Sequence, residues 1–161
     1  MASSEHELPT PDPMEAARQQ ILGDHHKLRR LIGAVERIAG LIEDGDEDLG
    51  DSLRVLLVAL FRKLKAHMQY EDEVLVPILR KIDAFGDVRA DRFDREHEEQ
   101  REQMGDILHA ACDLRAHPQE VAGRARAILQ RVLVDMDHEE AEFLSPDLLR
   151  DDIVAIDPES G

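Results

Sequence analysis

Cysteines, aromatic residues and long apolar runs are all scarce in this sequence. Its single cysteine, Cys112, excludes an internal disulfide and any pair of redox cysteines. Aromatic residues make up 3% of the 161 residues, with no tryptophan and one tyrosine. The longest strongly apolar run, residues 55–61, is far too short to cross a bilayer, so we expect no membrane-spanning segment.

Positive charge is also scarce, since 20 lysines and arginines face 36 aspartates and glutamates, for a net charge of −16. A field of this sign repels phosphate groups and anionic lipids, so we expect neither a nucleic-acid partner nor a membrane partner. The first residues are acidic and lack an apolar stretch, so no secretory signal is predicted. A cytoplasmic location is the resulting expectation. Eight histidines are unusual in so acidic a chain.

The distribution of proline and charge divides the chain into one domain and two tails. Residues 1–13 contain three prolines and no apolar periodicity, which predicts a flexible N-terminal tail. Residues 151–161 are acidic and are predicted to form a flexible C-terminal tail. The remaining residues, 14–150, match the length of one domain.

Four segments of this domain carry apolar residues at intervals of three and four, the spacing of one helix face. They span about 14–43, 51–81, 87–116 and 118–145. Pro77 lies inside the second segment and should kink or loosen its end. The connections are short, and no alternating β pattern competes. The sequence therefore predicts an all-α fold, an antiparallel up-down-up-down four-helix bundle.

Ionisable side chains interrupt these apolar stripes at one level of the predicted bundle. They are His25 in the first helix, His67 and Glu71 in the second, His97 in the third, and His138 and Glu142 in the fourth. Counted from the helix ends at 1.5 Å per residue, all six lie roughly 10–20 Å from the same end of the bundle. Because buried charges are unfavourable without partners, and imidazole and carboxylate groups suit first-row metals, the set predicts a dinuclear metal centre bridged by the two glutamates.

The same residues carry a resemblance to a known family. The matching segments are residues 24–28 (DHHKL), 67–77 (HMQYEDEVLVP), 95–97 (REH) and 138–146 (HEEAEFLSP). The chain resembles the hemerythrin-like HHE cation-binding domains, which are non-haem di-iron four-helix bundles. The resemblance covers about residues 14–148, and two copies of the His-x-x-x-Glu spacing make it specific.

The resemblance implies a ligand for each iron. His25 and His67 would hold one iron, His97 and His138 the other, and Glu71 and Glu142 would bridge them, with an oxo or hydroxo group between the two ions. Oxygen-carrying hemerythrins have a second histidine one turn after that of the third helix, where this chain has Arg101. The resulting four-histidine, two-glutamate centre leaves more open coordination, which favours an external ligand.

Several functions remain open at this point. The first is a binding or sensing protein for O2 or NO, or one that handles peroxide, served by an unidentified reductase. The second is a di-iron enzyme for peroxide dismutation, NO reduction or repair of iron-sulfur centres. The third is a structural or storage bundle that binds metal. The sequence does not identify the ligand or the oligomeric state.

Residues beside the predicted ligands receive separate interpretations. We choose His25 over His26 as the ligand of the first helix, because the apolar spacing that follows fits His25. Asp135 is either an orienting carboxylate for His138 or a solvated acid, and Tyr70 is interpreted as an ordinary half-buried residue. The remaining acids are interpreted as solvated helix charges: Glu73, Glu139 and Glu140. The buried stripe of the fourth helix is predicted to include Ile128, Val134, His138, Ala141 and Glu142.

Overall fold

The computed structural model of the chain describes residues 13–82, 84–113 and 116–145. All its regular elements are helical: α1 (Pro13–Glu43), a 3-10 turn (Glu47–Leu49), α2 (Gly50–Tyr70), a π-helical turn (Glu71–Leu75), α3 (Val76–Ile82), α4 (Gly86–Cys112) and α5 (Pro118–Glu142). These elements correspond to the four predicted helices, with the second divided into three parts. Apart from Pro13, which begins α1, the predicted tails 1–13 and 151–161 lie outside the described residues.

Helix α1 follows the predicted apolar spacing along its whole length. Its buried side chains are Ala17, Ile21, His25, Leu28, Ile32, Val35, Ala39 and Ile42. Gly45 ends the helix in the left-handed region with φ 112°, which glycine adopts without steric penalty. Its amide donates to Ile42 and the next amide, of Asp46, donates to Leu41, so two carbonyls of the last turn are satisfied.

The second predicted helix is interrupted by a π-helical turn just before Pro77. In this turn the amide of Val76 donates to the carbonyl of Glu71, five residues back. Proline has no amide hydrogen, and its ring collides with the carbonyl four residues back in a regular α-helix. The wider π-turn relieves this conflict, and such turns are frequent at functional sites. It also begins at Glu71, one of the predicted metal ligands.

The helices pack so that α1 and α4 both contact α2 and α5. Near the start of α1, Arg18 donates to the carbonyl of Leu144 at 2.7 Å. Further along α1, Glu36 accepts at 2.5 Å from Gln130, which lies in the middle of α5. None of the described helices is long and apolar enough to cross a membrane.

The buried apolar residues form two clusters rather than one. The larger cluster fills the part of the bundle built from the later residues of α1 and the body of α2, and it includes Ile32, Leu57 and Leu129. The smaller cluster consists of Ile21, Leu75, Val76, Leu79, Ala90, Phe93, Phe143 and Leu144. Polar side chains that are equally buried lie between the two clusters.

Gly86→Ala should destabilise the fold, because the start of α4 touches the backbone of α3. A Cβ at Gly86 would lie 2.2 Å from the carbonyl oxygen of Leu79 and 2.8 Å from the carbonyl carbon of Arg80. Relief of such a clash requires backbone movement, so we expect a loss of roughly 2 kcal/mol in the free energy of unfolding, measured by denaturant titration. Gly33→Ala is the control, since a Cβ there meets nothing within 4 Å. An unchanged stability for Gly86→Ala would contradict the close approach.

Candidate metal centre

Four buried side chains converge between the two apolar clusters. His25 comes from α1, His67 from the last turn of α2, Glu71 from the start of the π-turn and Glu139 from α5. One ligating atom from each of the four lies within 4.8 Å of all the others. His25 is 0% exposed and Glu71 1% exposed, so the group is shielded from bulk water.

The contacts within this group join nitrogen and oxygen atoms that would hold a cation. His25 Nε2 lies 3.1 Å from His67 Nε2 and 3.2 Å from Glu139 Oε2. His67 Nε2 lies 3.2 Å from Glu71 Oε1, one helical turn further along the chain. Side chains four residues apart share a helix face, which explains why the predicted His-x-x-x-Glu spacing brings this pair together.

His97 joins the group from α4, on the other side of the Glu71 carboxylate. Its Nε2 atom lies 3.3 Å from Glu71 Oε2, whereas Glu71 Oε1 faces His67. His97 is 3% exposed. One carboxylate therefore lies between the His25–His67 pair and the third imidazole.

Two of these imidazoles are oriented by carboxylates on their outer side. His25 Nδ1 donates to Glu140 Oε1 at 2.8 Å, and the same oxygen accepts from Arg29 at 2.6 Å. His97 Nδ1 donates to Asp72 Oδ1 at 2.6 Å, and the other oxygen of Asp72 accepts from Arg101. Donation from Nδ1 leaves Nε2 of each neutral ring free to bind a metal, which is the usual arrangement around histidine ligands.

Glu140→Ala should weaken metal binding although Glu140 does not face the cluster. Without this acceptor the His25 ring loses its fixed orientation, and we expect a loss of about 10–100-fold in metal affinity, measured by competition with a chelator. Glu73→Ala provides a control on an exposed acid of the π-turn. Equal affinities for the two variants would show that Glu140 does not orient His25.

The two carboxyl groups of the site, Glu71 and Glu139, have pKa values shifted in opposite directions. Burial, together with the negative charge of Glu71, raises the pKa of Glu139 to about 8. Burial also acts against ionisation of Glu71, but its contacts with His67 and His97 outweigh this and lower its pKa to about 2. Burial opposes protonation of His25, yet its contacts with Glu139 and Glu140 raise its pKa overall. Burial opposes protonation of His97 as well, and its contacts with Glu71 and Asp72 raise its pKa in the same way.

Unsatisfied atoms show that this donor set fits a metal. Among the described residues, three buried side-chain atoms make no hydrogen bond of good geometry, namely His67 Nδ1, Glu71 Oε1 and Glu139 Oε2, although the two oxygens lie 3.2 Å from the Nε2 atoms of His67 and His25. Buried carboxylate oxygens without partners are unfavourable by more than a kcal/mol each. The two oxygens belong to the group of four converging residues, and imidazole with carboxylate is a donor set that binds first-row metals. A cation at this place would satisfy both oxygens.

The structure does not bring His138 and Glu142 into this group. His138 is half-exposed, accepts at Nδ1 from Arg92 at 3.1 Å, and faces the exposed Glu142 at 2.8 Å from its Nε2 atom. The buried face of α5 near the site consists of Val132, Met136, Glu139 and Phe143. Residues 138 and 142 each precede a buried residue, and one residue corresponds to a rotation of about 100° around the helix.

The predicted buried stripe of the fourth helix is therefore wrong in part. Val134 is 65% exposed, and Ala141 is exposed as well, whereas Ile128 is buried as predicted. The assignment of all six predicted residues as metal ligands stays a prediction: the geometry groups His25, His67, Glu71 and His97, and it places the other two apart.

Glu139 is the site residue that the sequence interpretation misses, because that interpretation treats it as a solvated charge. It is 8% exposed. The signal was available in its spacing, since Glu139 lies three residues after Met136 and four before Phe143, and both neighbours are apolar. Glu140, which the sequence also predicts to be a solvated charge, instead contacts His25.

The other neighbouring residues are placed as follows. His26 is exposed and His25 buried, in agreement with the choice of His25. Tyr70 is half-buried and packs against the smaller apolar cluster. Asp135 accepts from the buried Gln100 at 2.8 Å, a contact that neither of the two interpretations from the sequence predicts.

Comparison with known families identifies the class of protein. Residues 17–146 match the family described as hemerythrin HHE cation-binding domain. The match covers most of the chain, so the chain belongs to the hemerythrin-like HHE cation-binding family, as its motifs predict. Comparison with curated proteins and with solved structures gave no significant match.

Proposed function

We propose that this chain is a non-haem di-iron protein that binds or senses a small diatomic ligand, O2 or NO, or handles peroxide. One observation supports this above all: within the part of the chain that the structure describes, two buried carboxylate oxygens that make no hydrogen bond of good geometry lie among three buried imidazoles. Iron would supply the ligand coordination and the electron transfer that amino-acid side chains lack. Family membership favours iron among the first-row metals.

The size of the interior supports a small ligand. A cavity of about 10 Å³ adjoins His67, Glu71, His97 and Glu139, and its other walls include Leu64, Met68, Val132 and Met136. This volume is near the smallest that admits one water molecule. A diatomic molecule or peroxide is closer to this volume than an organic substrate is.

In this proposal, different residues would bind the metal, orient its ligands and exclude water. His25, His67 and His97 would hold the metal, while Glu140 and Asp72 fix the orientation of two of these rings. Glu71 would lie between two metal positions, because its two oxygens face different imidazoles. The apolar clusters on both sides would exclude water from the site.

Two further features belong to this proposal. We infer an antiparallel up-down-up-down order of the four helices, supported by short connections and by the contacts of Arg18 with Leu144 and of Glu36 with Gln130. We also infer a cytoplasmic location, supported by the lone Cys112, which is exposed and suits a reducing compartment.

The test is the absorption spectrum of the full chain loaded with Fe(II) without air, recorded before and after addition of O2 or NO, with iron counted per chain. Two irons and new charge-transfer absorption that disappears on removal of the ligand or on reduction would support binding. Continuous consumption of peroxide or NO would favour the enzyme instead. Iron well below one per chain and an unchanged spectrum would overturn the proposed function.

A further inference from the structure

We propose that the centre has two unlike metal positions: an imidazole-rich one between His25 and His67, and an oxygen-rich one beside His97 that accepts Mn²⁺ more readily than the first. This inference rests on the proposed function, since it concerns the same site. It goes further because it states that the two positions differ in their donor atoms and in the metal that they prefer.

The Glu71 carboxylate defines the two positions. Its Oε1 atom faces His67 at 3.2 Å and its Oε2 atom faces His97 at 3.3 Å. On the first side, two imidazoles and Glu139 converge with Glu71. On the second side, His97 is the imidazole within reach, because His138 lies half-exposed and is engaged by Arg92.

In this proposal, oxygen donors take the place that a second imidazole would occupy. The small cavity beside Glu71 is lined by Gln100 and Asp135 as well as by His97 and Glu139. Gln100 is 6% exposed, and its amide nitrogen donates to Asp135 Oδ2 at 2.8 Å. This leaves the amide oxygen of Gln100 and the other oxygen of Asp135 as donors, either directly or through a water molecule.

A buried carboxylate oxygen links this wall to a cation. Glu139 Oε2 makes no hydrogen bond of good geometry although it lies 3.2 Å from His25 Nε2, and Glu139 borders both the His25–His67 group and the cavity that Asp135 lines. A cation in the second position would therefore meet carboxylate oxygen from several directions and nitrogen from His97.

The two donor sets differ in the metals that they favour. Imidazole suits iron, zinc and copper, whereas carboxylate, carbonyl and water oxygens suit manganese and magnesium. The affinity order of a given site places Fe²⁺ above Mn²⁺. Replacement of an imidazole by oxygen donors therefore reduces the preference of the site for Fe²⁺ over Mn²⁺ but does not reverse it. The second position should therefore exchange iron for manganese at a lower manganese excess.

The experiment is a competition series on the full chain. Metal-free protein is equilibrated without air with Fe²⁺ and increasing Mn²⁺, desalted, and analysed for both metals by mass spectrometry, with bound Mn²⁺ followed by electron paramagnetic resonance. We expect a plateau with one iron and one manganese per chain. The manganese excess for half-replacement should differ between the two positions by about tenfold or more.

Variants at Asp135 connect this difference to its donors. Asp135→His provides a second imidazole, so the manganese excess that replaces iron at the second position should rise towards that of the first position. Asp135→Asn should weaken retention of the metal at the second position alone. Asp106→His and Asp106→Asn place the same changes at an exposed position of α4 and should leave the series unchanged. Circular dichroism verifies that each variant is helical.

The outcomes separate this inference from the proposed function. Two irons that exchange for manganese at a single excess, or Asp135 variants that behave like the Asp106 variants, would overturn the unlike positions and leave the di-iron proposal intact. Retention of a single metal per chain would overturn the second position. Failure to retain any metal would overturn the proposed function itself.

Discussion

Glu139→Gln is expected to lower the affinity of the chain for iron by about 100-fold or more, whereas Glu142→Gln should leave it within about twofold. Replacement of a carboxylate that orients a ligand already costs about 10–100-fold, and loss of a charge that faces the metal should exceed that. Glu139 lies in the buried group with His25, while the Glu142 side chain is 52% exposed and pairs with His138.

Iron per chain after desalting and competition with a chelator provide the measurement. The pair His67→Ala and His138→Ala repeats the comparison for imidazole, with loss of iron expected for His67→Ala. The matched changes at positions 138 and 142 control for general effects on α5. If Glu142→Gln and His138→Ala lost iron while Glu139→Gln retained it, α5 would be rotated in the metal-loaded protein, and the six ligands predicted from the sequence would be the correct set.

The metal-free protein should lose stability as the pH rises from about 4.5 to about 8. The pKa of Glu139 increases from 4.5 in the unfolded chain to about 8 in the folded protein, and the pKa values of His25 and His97 are raised as well. The folded protein therefore binds more protons in this window than the unfolded chain, so increasing pH favours unfolding. We therefore expect the free energy of unfolding to decrease steadily across this window.

Denaturant titration of the metal-free protein at several pH values measures this dependence. Glu139→Gln should flatten the curve, because its side chain has no proton to retain, and Glu142→Gln should keep the wild-type slope. Below pH 4.5 the trend reverses, since the pKa of Glu71 is lowered to about 2 and its favourable ionisation is lost as the pH falls. A stability that rises from pH 5 to pH 8 would contradict the environment described for Glu139.

The sequence predicts most of the helical framework because apolar spacing and helix-ending residues agree in the first helix. Ile21, Leu28 and Ile32 occupy the predicted face of α1, and Gly45 ends it. The sequence does not show how the second helix accommodates Pro77. A proline predicts a disturbance, but whether the chain kinks or forms a π-turn depends on the packing of α3 against α4, which is a tertiary effect.

The site shows a similar division. His25, His67 and Glu71 are placed by local spacing, so they are found from the sequence. The acids of α5 are harder, because Glu139, Glu140 and Glu142 lie within one turn and a difference of one residue changes the exposed face into the buried one. A motif with histidine four residues before glutamate draws attention to Glu142, while Met136 and Phe143 determine which acid points inward.

The division of the interior into two apolar clusters has a consequence for how a metal would reach the buried group between them. Among the described residues, the smaller cluster contains eight buried side chains and the larger one twenty, so opening of the smaller end exposes much less apolar surface. Segments held by fewer buried contacts open locally at a lower free energy than the whole protein unfolds. Amide hydrogens of α3 should therefore exchange with solvent sooner than those of the middle of α2. Transient local opening of the end that contains the smaller cluster, with the rest of the bundle intact, would then set the rate of metal uptake and release.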